Sequence, residues 1–251
     1  LAATDKFVGA WVQPGEGDGS MVSAEGDVLS GTWRRGLLEG EGRRVFAEGD
    51  AYDGQFEGSR RHGGGTLRMA NGGEYSGEWR RDLRHGQGTL RMANGDVLEG
   101  SWARDLPSGH ARLRCADGSV YEGEWALARP HGEGTLHSAN GDVVHSRFTC
   151  GLPSGQGVIE LAGGARYEGG LWQGRPHGVG LLSACGVLHE GGFVNGQRWG
   201  AGVERFDEEA SGGARSLKGA WAHDLPAAAA VLQTGDGCRL TAKWRGGAPE
   251  G

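Results

Sequence analysis

The chain has 251 residues, 52 of them glycine, with a hydrophobic fraction of 37% and a formal net charge of -6. No apolar run approaches membrane-spanning length, which excludes an integral helical membrane protein, and the acidic balance argues against nucleic acid as a partner. Scattered glycine at this level would signal disorder, but here it falls at fixed phase beside tryptophan and tyrosine, and that periodicity defines a repeat array.

Taken in chain order, a slightly short copy opens near residue 4 with Phe7, Gly9 and Trp11. Complete copies of 23 residues start at Gly26, Gly49, Gly72, Gly95, Gly118 and Gly141. The copy from Gly164 is one residue shorter, and the copy from Gly186 is stretched by the insertion 207–213, whose acidic, glycine-rich composition reads as a solvated loop. A copy from Ala214 keeps Leu217, Gly219 and Trp221 but sets Ala228 and Ala230 where the paired glycines belong. A partial copy from residue 237 keeps Leu240 and Trp244. No linker or composition break interrupts residues 1–251, which read as a single array of ten copies and a fragment.

Each copy reads G-x-x-Y-x-G-x-W, six loop residues, G-x-G-x-L and a closing A-N. In the copy from Gly72, residues 74–79 and 86–92 alternate in character, which is the strand period. Antiparallel pairing around a loop 80–85 sets Tyr75 opposite Leu90, Gly77 opposite Gly88 and Trp79 opposite Gly86. Large rings then lie on backbone without side chains, which compensates for the weakness of glycine in strands. The Ala-Asn-Gly links, such as Ala70-Asn71-Gly72, predict three-residue loops with a left-handed glycine, because that form keeps Leu67 and Leu90 facing the next copy's aromatic position. The fold class that follows is all-β: an elongated, twisted, single-sheet antiparallel meander of ~20 strands built from hairpin repeats, about 100 Å long at ~4.8 Å per strand. Its terminal strands leave unpaired backbone groups, a site for a partner or for self-association.

The segments GEYSGEWRRDLRHGQGTL, GSVYEGEWALARPHGEGTL and GARYEGGLWQGRPHGVGLL resemble the MORN (membrane occupation and recognition nexus) repeat, and the resemblance covers nearly the whole chain. It implies a non-catalytic module of cytoskeletal and ciliary scaffolds and junctional membrane proteins, also found as an accessory region beside methyltransferase or lipid-kinase domains. The copy from Gly141 departs from the pattern, with His145 and Phe148 in place of Tyr and Trp.

Two candidate binding surfaces emerge. Tyr52, Phe56, Tyr75, Trp79, Trp102, Tyr121, Trp125, Phe148 and Tyr167 form an aromatic stripe flanked by Leu67, Leu90, Leu113 and Leu136. With only one sheet, one side of that stripe stays partly open as a groove for a protein partner. Basic residues recur in the six-residue loops as Arg34, Arg35, Arg60, Arg61, Arg80, Arg81, Arg84, Arg104 and Arg129, an edge suited to anionic lipid headgroups, with Arg60, Arg61, Arg80, Arg81 and Arg84 as its lipid-binding residues. No apolar anchor adjoins them in the sequence, and the net charge opposes such binding.

Other features read as structural. Acids at Asp53, Glu78, Glu99, Glu122 and Glu124 interleave with Arg68, Arg91, Arg112 and Arg114 as a charge ladder on the polar face. His62, His85, His131 and His177 recur about two strand spacings apart, too far to share a zinc ion, and read as loop-closing hydrogen bonders. Cys115, Cys150, Cys185 and Cys238 lack a CxxC pair and read as free thiols, consistent with a reducing compartment. Gly86-Gln87-Gly88 lacks the following helix that phosphate binding needs, and no nucleophile, base and orienting group converge. No cofactor or metal is expected. The sequence thus reads as a non-enzymatic scaffold or adaptor, a structural subunit of a cytoskeletal, ciliary or organellar membrane complex; the alternative is a peripheral membrane protein holding anionic phospholipid through its arginines. The opening Leu1-Ala2-Ala3 without Met leaves an organellar location open beside a cytoskeletal one.

Overall fold

The computed structural model describes residues 6–13, 15–207, 214–235, 237–245 and 248–250. Among these the protein is all-β, with 22 strands and no helix. The chain packs as two compact units, 1–129 and 130–251. The first holds β1 (Lys6–Gln13), β2 (Glu16–Val22), β3 (Val28–Arg34), β4 (Leu37–Val45), β5 (Ala51–Glu57), β6 (Arg60–Arg68), β7 (Glu74–Arg80), β8 (Leu83–Arg91), β9 (Val97–Ala103), β10 (Leu106–Arg114) and β11 (Val120–Ala126). The second holds β12 (Arg129–His137), β13 (Val143–Thr149), β14 (Leu152–Glu160), β15 (Arg166–Trp172), β16 (Arg175–Ala184), β17 (Val187–Val194), β18 (Gln197–Phe206), β19 (Ala214–Ala222), β20 (Leu225–Thr234), β21 (Arg239–Arg245) and β22 (Ala248–Glu250). Within each unit every strand pairs antiparallel with the next in the chain, an open meander. The predicted insertion 207–213, apart from Asp207, lies outside the described residues, as do the side chains of Phe7, Trp11 and Trp244.

The links between copies are the expected three-residue loops. Gly72 N–H donates to Met69 O (2.9 Å) and Met69 N–H to Gly73 O (2.8 Å), and Gly72 sits at φ +91°, open to a residue without Cβ. The register follows: Leu67 faces Tyr75, and Leu90 faces Leu98 at the next aromatic position. Successive loops are also stapled to one another. The carboxylates of Asp27, Asp50, Asp96 and Asp142 accept the backbone N–H of Ala47, Ala70, Ala116 and Ala162, all at 2.8–2.9 Å. At Asp27 burial opposes the charge, but the Ala47 N–H and the Arg44 guanidinium hold the carboxyl below its usual range.

The other end of each hairpin differs from expectation. Residues 80–85 are no loop: β7 continues to Arg80 and β8 restarts at Leu83, leaving a two-residue turn with Arg81 at φ +52° and Asp82 at φ +69°. That is the type I′ geometry whose twist matches paired strands. The spare residues are absorbed by a register shift between Gly77 and Glu78, where Gly86 takes φ +58° and Gln87 N–H donates to Glu78 Oε1 (2.9 Å). Trp79 therefore pairs with Arg84 in its own hairpin and faces Gly63 of the preceding one, while Gly86 faces Trp102 of the next. The two glycines of G-x-G have separate jobs: the first makes the bulge, the second seats a ring.

On the polar face the charge ladder is present as Arg43–Asp53, Arg68–Asp53, Arg68–Glu74, Arg112–Glu122 and Arg114–Glu99 pairs at 2.9–3.9 Å. The participating side chains are well exposed, so each pair adds at most about 1 kcal/mol and the ladder serves chiefly to keep that face soluble.

Candidate partner-binding groove

The aromatic face is assembled one copy at a time. Tyr75 is fully buried, and its ring lies across Gly77 and Gly88, where a Cβ on Gly88 would come within 2.6 Å of the Tyr75 ring carbon Cζ. Tyr52 over Gly65 and Tyr167 over Gly180 repeat the arrangement. Two of the copies that lack the tyrosine trade volume between ring and glycine: Leu98 goes with Ala111 opposite Gly100, and Leu217 goes with Ala230 packed against Gly219.

Tryptophan reaches backwards. The Trp79 indole N–H donates to Gly65 O (3.1 Å) and that of Trp102 to Gly88 O (3.1 Å), so each indole is hydrogen-bonded to the preceding hairpin. The rings meet edge to face, Tyr75–Trp79 at 5.1 Å, Tyr52–Trp79 at 5.3 Å and Tyr75–Trp102 at 5.3 Å, contacts worth about 0.5–1.5 kcal/mol each beyond their burial.

All nine predicted groove aromatics, Tyr52, Phe56, Tyr75, Trp79, Trp102, Tyr121 and Trp125 in the first unit and Phe148 and Tyr167 in the second, are buried to 7% exposure or less. They are core first, and they offer the bottom of a groove rather than its reachable walls. The reachable surface is the half-buried layer above them. In the first unit a cleft of about 650 Å³ is lined by Phe46, Arg61, Leu67, Met69, Trp79, Arg84, Leu90 and Met92, with Asp50 and Asp105 at its rim. A second, of about 380 Å³, is lined by Leu90, Met92, Leu98, Trp102, Pro107, Leu113 and Trp125. The two share Arg84, Leu90, Met92 and Asp105 and so form one continuous trough. Sequence alternation places Met92 on the inward face with Leu90, and Met69 continues it past Leu67 in the same way; Phe46 and Pro107 carry no such signal.

The arginines divide into two groups. Arg61 and Arg84 are strand residues facing inward, each guanidinium stacked on the next copy's indole (Arg61 over Trp79 at 4.2 Å, Arg84 over Trp102 at 4.5 Å). Each also pairs with an aspartate of the next turn, Arg61 Nε with Asp82 at 3.2 Å and Arg84 Nε with Asp105 at 3.1 Å. They are groove walls fixed by cation–π and ionic contacts, withdrawn from the turn edge. Arg34, Arg35, Arg60, Arg80, Arg81, Arg104 and Arg129 remain exposed. Beside them, contrary to the absence of an apolar anchor in the sequence reading, stand exposed leucines: Leu37 (45%), Leu83 (41%) and Leu106 (44%), each the first residue after a two-residue turn. Of the repeated histidines, His62 Nδ1 lies 3.0 Å from Glu57 Oε2, but without hydrogen-bonding alignment.

Burial pushes the Tyr75 phenol up to about 12 against the opposing Arg84 guanidinium, and it raises Tyr52 and Tyr167 as well. A phenol whose native value lies above its unfolded one contributes its stabilisation in full below the ordinary value of 10.0 and loses it as pH rises toward the native value. In an alkaline titration, phenolate absorbance should therefore appear together with loss of the β circular dichroism signal. Phenolate forming at the ordinary value with the fold intact would show the rings to be accessible.

The architecture and its site define a class: open β-hairpin repeat arrays with an aromatic face seated on glycine. The family model for the MORN repeat matches seven times, at residues 30–51, 52–74, 75–97, 99–120, 121–143, 167–183 and 189–208, together more than half of the chain. The chain belongs to the MORN repeat family. No curated protein matches it. Among solved structures it is similar to the TCP10 domain of Danio rerio CPAP in complex with a peptide of Danio rerio STIL, at 12% identity, covering 96% of this chain and 100% of that chain, with a TM-score of 0.45. It is also similar to the SAS-4 (dCPAP) TCP domain of Drosophila melanogaster in complex with a proline-rich motif of Ana2, at 12% identity, covering 66% of this chain and 90% of that one, with a TM-score of 0.40.

Proposed function

We propose that the protein is a non-catalytic docking scaffold whose first unit receives a segment of a partner polypeptide in the trough above Trp79 and Trp102. The observation that carries this reading is the continuity of half-buried Leu67, Met69, Leu90, Met92 and Leu113 over an aromatic floor, an apolar strip with charged rims. Such a strip suits the apolar face of a short segment, with Arg61, Arg84 and Asp105 holding its margins rigid.

The test is selection of displayed peptides on the immobilised protein, followed by binding isotherms with Leu90→Glu. That substitution is compatible with the fold, because Arg44 and Glu204 already stand at the position of Leu90 in other copies. Selected peptides should bind the variant at least roughly tenfold more weakly, as expected for a lost apolar anchor, and should hold their affinity in added salt. Peptides that bind Leu90→Glu as well as wild type would remove the groove from the proposal.

A second reading is favoured by one observation, the exposed Leu37, Leu83 and Leu106 beside exposed Arg34, Arg35, Arg60, Arg80 and Arg81, none of which has an ion-pair partner among the described residues. A turn edge of this composition supports peripheral binding to anionic lipid. Co-sedimentation with phosphatidylserine vesicles should then collapse in salt and with Arg80→Glu and Arg81→Glu, whereas neutral vesicles should not bind. Arg61 and Arg84, spent on Trp79 and Trp102, have no part in it.

A further inference from the structure

The aromatic face of the second unit carries a polar interruption. At facing positions where other copies pair Tyr75 with Leu90, Tyr167 with Leu182 or Leu217 with Leu232, β17 and β18 pair His189 with Glu204. Both are buried, His189 at 1% exposure and Glu204 at 7%. Arg198 binds Glu204 through Nη1 and, on its other side, Asp224, with its backbone N–H to Asp224 Oδ1 at 2.9 Å and Nε to the same oxygen at 3.4 Å. One guanidinium thus stands against two carboxylates. Among the described residues neither ring nitrogen of His189 has a hydrogen-bond partner, and Nδ1 is 3.7 Å from Glu204 Oε1, too far for a direct bond. The Trp221 indole, 4.8 Å from the His189 ring, also lacks, among the described residues, the carbonyl partner that Trp79 and Trp102 have.

Buried polar groups without partners cost free energy, as does the buried Glu204 carboxylate, and a tyrosine–leucine pair would avoid both costs. These groups border a cleft of about 330 Å³ whose remaining walls include Leu182, Val187 and Phe206. That volume sits at the small end of the range for ligand sites. The chemistry narrows the occupant. An anion is disfavoured because Arg198 is already committed to two carboxylates. Among the described residues no three His, Cys, Asp or Glu side chains converge to hold a metal ion. A primary ammonium fits: it can pair with a carboxylate of this cluster, where two carboxylates share one guanidinium, and an alkyl stem matches the apolar walls.

We propose that the cleft lined by β16, β17, β18 and the turn at Asp224, bordered by His189, Glu204 and Asp224, is a binding site for a primary alkylammonium group. A lysine side chain of a polypeptide and a free alkylamine share this chemistry. The inference concerns the second unit and stands or falls independently of the trough in the first.

The test uses the full chain with n-butylammonium chloride and with Nα-acetyl-lysine methylamide as probes, followed through the His189 imidazole resonances and the thermal midpoint. Both probes should shift His189 saturably and raise the midpoint, whereas n-butanol and the Nε-acetylated lysine derivative should do neither. Tighter binding of the lysine derivative identifies a polypeptide as the source; tighter binding of n-butylammonium identifies a free amine. Glu204→Gln, which keeps the shape and removes the charge, should weaken both by roughly tenfold or more, the usual loss for a charged hydrogen-bond partner. The double variant His189→Tyr with Glu204→Leu restores the pairing of Tyr75 and Leu90; it should fold at least as stably and show no ligand-dependent rise in midpoint. Absence of a shift with either ammonium, an equal shift with n-butanol, or an unchanged response in the double variant would overturn the assignment.

Discussion

Gly88→Ala should lower the stability of the first unit by about 3 kcal/mol, at the upper end of overpacking costs, and Tyr75→Leu should recover a large part of the loss. A methyl at Gly88 would overlap the Tyr75 ring, with Cζ only 2.6 Å away, and the phenol cannot retreat because Trp79 and Trp102 flank it at 5.1 and 5.3 Å. Relief by leucine is what the protein itself practises at Leu98 with Ala111 and at Leu217 with Ala230. Tyr75→Leu alone leaves a cavity and removes the phenol hydrogen bond to Glu78 O (3.2 Å), so it also destabilises. The double variant should then be more stable than the sum of the singles by about 2 kcal/mol, read from urea unfolding followed by tryptophan fluorescence. Additivity within about 0.5 kcal/mol would mean that ring and glycine do not share one volume.

The same pairing shows what the sequence could reveal. Tyr75 opposite Leu90 and Gly77 opposite Gly88 follow from two-residue alternation and from the loop at Gly72, because a one-residue slip would bury the charged face. The two-residue turns are not legible in the copy 72–94, because Arg81-Asp82 is a poor match to a type I′ signature and alternation alone then predicts a longer loop. The signal stood in other copies: Arg35-Gly36, Cys150-Gly151, Gln173-Gly174 and Asn195-Gly196 occupy the same phase. The turn length also decides where the arginines point. A loop at 80–85 points Arg84 outward, whereas a strand from Leu83 turns it inward onto Trp102, in the position where Pro107 serves the next copy. The aromatic stripe was legible as a line of residues but not as core, because alternation assigns a face without saying how deeply the neighbouring copies cover it. His189 and Glu204 departed from the pattern in plain view, and only the register made them a facing pair.

Trp79→Ala should cost about 3–5 kcal/mol, the range for truncating a buried aromatic, and Trp79→Phe only about 1–2 kcal/mol. The distinction rests on what the indole does. Its ring, 3% exposed, is packed by Tyr52, Tyr75 and Arg61, so alanine empties the floor of the trough and leaves the Arg61 guanidinium without its platform. Phenylalanine keeps the packed ring and loses the N–H bond to Gly65 O, a trade already present at Phe56, Phe148 and Phe193, which occupy this phase in other copies. Because each copy contacts chiefly its neighbours, the damage from alanine should be local: amide hydrogen exchange should accelerate across β5 to β8 and change little in β1 or β11. Uniform acceleration through 1–129 would mean that the unit opens all at once, and that the copies are not the elements of its stability. Peptides selected on the trough should bind Trp79→Phe as they bind wild type and fail on Trp79→Ala, which ties the stability of the floor to the surface that rests upon it.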